Sequence, residues 1–126
     1  MMPPYRTQHL ERLLDDIADH SAVSVRNLWT SESGESGKLV TLSETTDPRF
    51  HVWITARTHA FESVSSWVAE GMIRWTVSRD PDAEWLRENV SLNVVPIVDV
   101  DSVKIGGSGK HREPICHARD FRKKPH

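Results

Sequence analysis

The sequence predicts an α+β fold: a single two-layer domain with a mostly antiparallel sheet, helices on one face and a basic C-terminal tail. Three observations carry that expectation. Three strand-like segments follow one another before helices begin to alternate with strands, the pattern of a sheet built largely from hairpins. A length of 126 residues suits one domain. Residues 1–103 carry nine lysines and arginines against sixteen acids, whereas residues 104–126 carry seven against two.

The elements are expected in the order α-β-β-β-α-β-α-β. Leu10, Leu13, Leu14 and Ile17 fall at i, i+3, i+4 and i+7, one apolar stripe of a helix over roughly 7–19. Residues 22–30 alternate as a strand, with Val23, Val25 and Trp29 on one side. The polar, glycine-containing stretch 31–37 joins it to a second strand at 38–45, a hairpin with a mobile tip. The clearest strand is 49–57, where Phe50, Val52, Ile54 and Ala56 alternate with Arg49, His51, Trp53, Thr55 and Arg57.

The period then becomes helical over 58–71. Phe61, Val64, Trp67 and Val68 share the face expected to turn inward, and Gly71 marks the stop. Ile73, Trp75 and Val77 suggest a short strand at 72–78. Asp80-Pro81 reads as an N-cap followed by proline at the first helical position. A last strand is expected at 92–103, at an edge or bulged, because Pro96 cannot donate to a ladder. The chain thus divides into a compact body, 1–103, and a basic tail, 104–126.

Composition narrows the class. Hydrophobic residues at 37% and charged residues at 27% exclude a disordered or collagen-like chain. Cys116 stands alone, so no internal disulfide forms and a reducing, cytoplasmic setting is expected. The opening residues have no apolar core for a signal peptide, and no run is long enough to span a membrane.

No strong catalytic signature stands in the sequence, and neither a cofactor nor a metal is expected. Lys104 to His111 only superficially matches a phosphate loop, since the first glycine and the final hydroxyl are missing. His111, Cys116 and His117 offer zinc-binding atoms, but adjacent Cys116 and His117 fit one tetrahedral ion poorly. Asp99 and Asp101 would point to one side at a strand end, where edge-protecting charges explain them better than a magnesium site.

The favoured reading is therefore a non-enzymatic binding or accessory protein docking on nucleic acid or a nucleoprotein complex. Its contacts would be the strand face of Arg49, His51, Trp53 and Arg57, by stacking and cation–π attraction. The tail would add Lys104, Lys110, His111, Arg112, Arg119, Arg122, Lys123 and Lys124 as phosphate contacts. Two alternatives stand beside it: a small metal-independent nuclease of toxin type, with His51, His111 or His117 as acid or base, and a homo-oligomeric assembly subunit.

Overall fold

The computed structural model describes residues 3–110. Its elements are α1 (Thr7–Ile17), β1 (Val23–Thr30), β2 (Ser36–Leu42), β3 (Phe50–Thr55), α2 (Ser63–Thr76), α3 (Pro81–Asn89), β4 (Val90–Val95) and α4 (Val100–Ile105). They form a small α+β domain with a mixed four-stranded sheet in the order β1-β2-β4-β3. β1 pairs with β2 and β2 with β4 antiparallel, whereas β3 and β4 run parallel. A parallel pair needs a long crossover, and α2 and α3 supply it.

The register explains the core. Val23, Leu42, Leu92 and Val52 line up across the sheet in one row, and Val25, Val40, Val94 and Ile54 in the next. The central members, Val40, Leu42, Leu92 and Val94, are buried against Leu10, Leu13 and Ile17 of α1 and Ala69 and Ile73 of α2. Burial falls away toward both edges, so Val25 and Val52 are each 40% exposed. The apolar stripe predicted for the first helix is the one α1 buries.

One expected strand is absent and another is shorter than expected. Residues 72–76 continue α2 instead of starting a new element. Of the face expected inward, Trp67 packs against the core, but Phe61, Val64 and Val68 are exposed while Ser66, Ala69, Ile73 and Thr76 are buried. Small residues let the helix lie close to the chain leaving β4: the buried Ser66 hydroxyl donates to Pro96 O at 2.8 Å. Gly71 does not end the helix; it faces open space within it. The last strand stops at Val95, immediately before Pro96, and β4 is internal to the sheet rather than an edge. Proline ends the ladder instead of bulging it.

Asp80 caps α3 as expected, its Oδ1 accepting from Asp82 N at 2.9 Å. The hairpin tip is tied rather than loose: Ser31 accepts from Glu35 N, its hydroxyl donates to Asp101, and Lys104 pairs with Glu35. No helix among the described residues is long and apolar enough to cross a membrane.

Candidate functional site

In sheets with parallel strands, ligands collect beyond the carboxyl ends of those strands. Here β3 and β4 are the parallel pair, and the chain leaving them forms one connected structure. Ala56 N donates to Val95 O, Val98 N to Ala56 O, and Asp99 N to Arg57 O. The segment after β3 is thereby stitched to the segment after β4 before it turns into α2.

That turn carries His59 and Glu62. Their side chains converge, with His59 Nδ1 3.0 Å from Glu62 Oε1. The imidazole is largely enclosed, at 13% side-chain exposure, while the carboxylate is 43% exposed and opens the pair to solvent. Glu62 occupies the N-cap position of α2, yet its carboxylate accepts no capping hydrogen bond. Ser65, in the first turn of α2, donates its hydroxyl to Glu62 O at 2.7 Å. The carboxylate is therefore spent on His59 rather than on the helix. Phe61, between them, places its ring 6.1 Å from that of His59, and Lys110 Nζ lies 4.5 Å above the Phe61 ring.

Buried groups hold the turn from below. Arg57 adopts a left-handed backbone, φ 58°, uncommon outside glycine and costly by about 1–3 kcal/mol. Its N–H donates to Ser65 Oγ at 3.0 Å, its Nε to Ala60 O at 2.7 Å, and its Nη1 to Tyr5 O. Burial pulls its guanidinium below the ordinary value, with the nearby Asp99 carboxylate acting in the opposite sense; an arginine nonetheless remains charged. Asp99 is itself buried and caps α4, accepting from Ser102 N. Gly109 passes so close that a Cβ there would overlap Asp99 Oδ2 and crowd Ala60 N, and its φ of 76° is left-handed. Phe61 N donates to Ser108 O at 3.2 Å, so the glycine-rich segment packs on the turn. Tyr5, whose N–H donates to Ser63 Oγ, has its hydroxyl pushed above its ordinary value by burial and by Glu70.

The residues singled out from sequence are distributed otherwise. Arg49, immediately before β3, and His51 and Trp53 within it are exposed, Trp53 at 55%. Arg57 does not continue their row: it lies beyond β3, 6% exposed, with its side chain under the His59 turn. Asp99 and Asp101 belong to the start of α4, not to a strand end, and Asp101 accepts from Ser31 Oγ. Lys104 lies in α4 and pairs with Glu35, and Lys110 covers Phe61. His111, Arg112, Cys116, His117, Arg119, Arg122, Lys123 and Lys124 lie outside the described residues. Neither His59 nor Glu62 is among the residues picked from sequence. Their signal was a His-x-x-Glu spacing between a strand and a helix.

Comparisons with known proteins converge on one chemistry. The profile of the zinc carboxypeptidases matches residues 10–123. Cytosolic carboxypeptidase 4 of Mus musculus is 35% identical over 117 residues, covering 82% of this chain and 10% of the relative. Cytosolic carboxypeptidase 2 of Xenopus tropicalis is 31% identical over 113 residues, covering 82% of this chain and 12% of the relative. Among solved structures, a metallo-carboxypeptidase from Burkholderia cenocepacia superposes with a TM-score of 0.77 at 29% identity, over 83% of this chain and 29% of its own. A metallo-carboxypeptidase from Pseudomonas aeruginosa does so with a TM-score of 0.71 at 27% identity, over 83% and 28%. The chain thus spans about a tenth of these curated relatives and under a third of these solved chains.

These matches overturn the non-enzymatic, nucleic-acid-directed reading and its nuclease and assembly alternatives, and point to an enzyme family. The charge split behind that reading is real, but it does not identify a ligand. The donor set at the β3 end fits zinc. Imidazole nitrogen and carboxylate oxygen are both zinc ligands, and two ligands at about 2.0–2.1 Å on a tetrahedral ion lie roughly 3.3 Å apart. The 3.0 Å between Nδ1 and Oε1 is close to that spacing. Among the described residues, no third His, Cys, Asp or Glu joins the pair.

Proposed function

Since the chain belongs to the zinc carboxypeptidase family, we propose that His59 and Glu62 are two protein ligands of a catalytic zinc in an enzyme that removes C-terminal residues from peptides or proteins. The single observation that carries this reading is the convergence of Nδ1 and Oε1 at the carboxyl end of β3. Catalytic zinc in carboxypeptidase A, a known member of this enzyme class, is held by two His and one Glu with an open position. One His and the Glu of that set correspond in type to His59 and Glu62, and among the described residues no third His, Cys, Asp or Glu joins them.

Zinc, when bound, polarises a carbonyl and brings the pKa of a coordinated water to about 7. The chain's own residues prepare for it. His59 is enclosed on most sides, which limits the orientations of its ring, and Glu62 keeps its carboxylate free of helix capping. The exposed carboxylate edge leaves the pair reachable by a substrate. A cytosolic setting, as the relatives' names carry, agrees with the single cysteine.

Calorimetric titration of the metal-stripped protein with Zn²⁺ tests the reading. One binding event is expected in the wild type, weakened at least tenfold in H59A and in E62A. Equal affinity in all three proteins would contradict it.

A further inference from the structure

We propose that Arg57 is the positioning residue of the His59/Glu62 pair, a role that rests on the zinc reading for its purpose but not for its geometry. Within the turn, Glu62 N donates to His59 O at 3.0 Å and Ser65 N to Glu62 O at 3.2 Å, which sets its curl. Between the two ligands, the Ala60 carbonyl accepts from Arg57 Nε at 2.7 Å, and the other arm of the same guanidinium holds Tyr5 O. The planar fork thus spans the segment before α1 and the centre of the His-x-x-Glu turn. A lysine, with one compact ammonium, cannot bridge two carbonyls in that way. The left-handed backbone of Arg57 is what brings the side chain back under the residues that follow it. Asp99, whose N–H is bonded to Arg57 O, places a carboxylate within electrostatic reach of the buried cation.

The guanidinium thus holds a carbonyl that lies between the two ligands, so its loss acts on the turn that sets their spacing. Partners that orient metal ligands without touching the metal typically change affinity by 10–100-fold when removed. A cleft of about 820 Å³, lined by Tyr5, Arg57, Ala60, Phe61 and Ser63 among others, reaches the arginine and admits small solutes.

The test compares wild type, R57G, R57K and R87A, using amide hydrogen exchange and His imidazole NMR on the metal-free protein, then Zn²⁺ titration. R57G relieves the left-handed strain while removing the guanidinium. It is expected to lose protection at the Phe61 amide, to broaden or average the His59 ring signals, and to bind Zn²⁺ about 10–100-fold more weakly. Low, non-denaturing guanidinium is expected to restore part of both losses, and R57K to restore little. R87A lowers the melting temperature but leaves the His59 signals unchanged, which separates positioning from general stability. Wild-type protection at Phe61 and an unchanged His59 ring in R57G would overturn the proposal. So would loss in R57G that guanidinium does not reverse and that R87A reproduces. If R57G shows the local changes while the wild type binds no Zn²⁺, the positioning role stands and the zinc reading fails.

Discussion

Two arginines, Arg57 and Arg87, are buried to the same degree, at 6% exposure, and both spread their guanidinium over backbone carbonyls. Their surroundings differ in a way that separates a structural junction from a site. Arg87 sits in the last turn of α3, in relaxed helical backbone. It binds Glu44 at 2.9 Å, Thr76 O at 2.6 Å and Ser78 O at 3.0 Å, tying the end of α2 to the loop after β2. Its counter-charge is in direct contact. Arg57 stands on a left-handed backbone and reaches the middle of the His59 turn, with the Asp99 carboxylate acting on it electrostatically. Equal burial therefore conceals unequal purposes. Backbone strain accumulates where geometry serves a ligand, whereas structural ties form without it.

This contrast can be broken or sharpened in order of expected effect. R87A is expected to be the most destabilising change, by about 2–4 kcal/mol, because it leaves Glu44, the buried Thr76 carbonyl and the half-buried Ser78 carbonyl without their donor. Denaturant unfolding reads it, and a loss no larger than that of an exposed arginine would erase the distinction. G109A is expected to cost about 1–3 kcal/mol, since the added Cβ meets Asp99 and Ala60 in a left-handed conformation. Unlike R87A, it is also expected to disturb the His59 signals. D80A removes a cap far from the site and is expected to cost about 1 kcal/mol, read as a small fall in melting temperature with the site unaltered.

The smallest effect is a pH dependence. Burial and Glu70 raise the Tyr5 hydroxyl, so the fold favours the neutral phenol. Its contribution is complete below the ordinary tyrosine value of about 10 and declines above it, as the unfolded chain releases the proton first. Melting temperatures between pH 9 and 11 are expected to fall less steeply in Y5F than in the wild type.

Much of the fold was legible because periodicity reports what is buried. Leu10, Leu13 and Ile17 gave α1 and Asp80-Pro81 gave the start of α3; the alternation through Phe50, Val52 and Ile54 located β3, although Phe50 and Val52 stay exposed on that edge strand. The same rule misjudged α2, whose buried face is Ser66, Ala69, Ile73 and Thr76 while Val64 and Val68 point outward. Close approach to neighbouring backbone selected small side chains, and an apolar count cannot see that. Ile73 and Trp75 alternate by accident within a helix. The candidate site was nearly invisible for a different reason. His59 and Glu62 are two residues among seven histidines and eighteen acids, and their spacing gains meaning only at the carboxyl end of a parallel strand. Nothing in the sequence shows that Arg57 turns left-handed and leaves the row of Arg49, His51 and Trp53.

The central claim is that His59 and Glu62 act together on one metal ion. Long-range ¹⁵N NMR of the histidine rings during substoichiometric addition of Zn²⁺ tests it most directly. The account predicts that His59 responds at its Nδ1, the nitrogen facing Glu62, and that this response is lost in E62A. A response confined to other histidines, or one at His59 that E62A leaves intact, would contradict it.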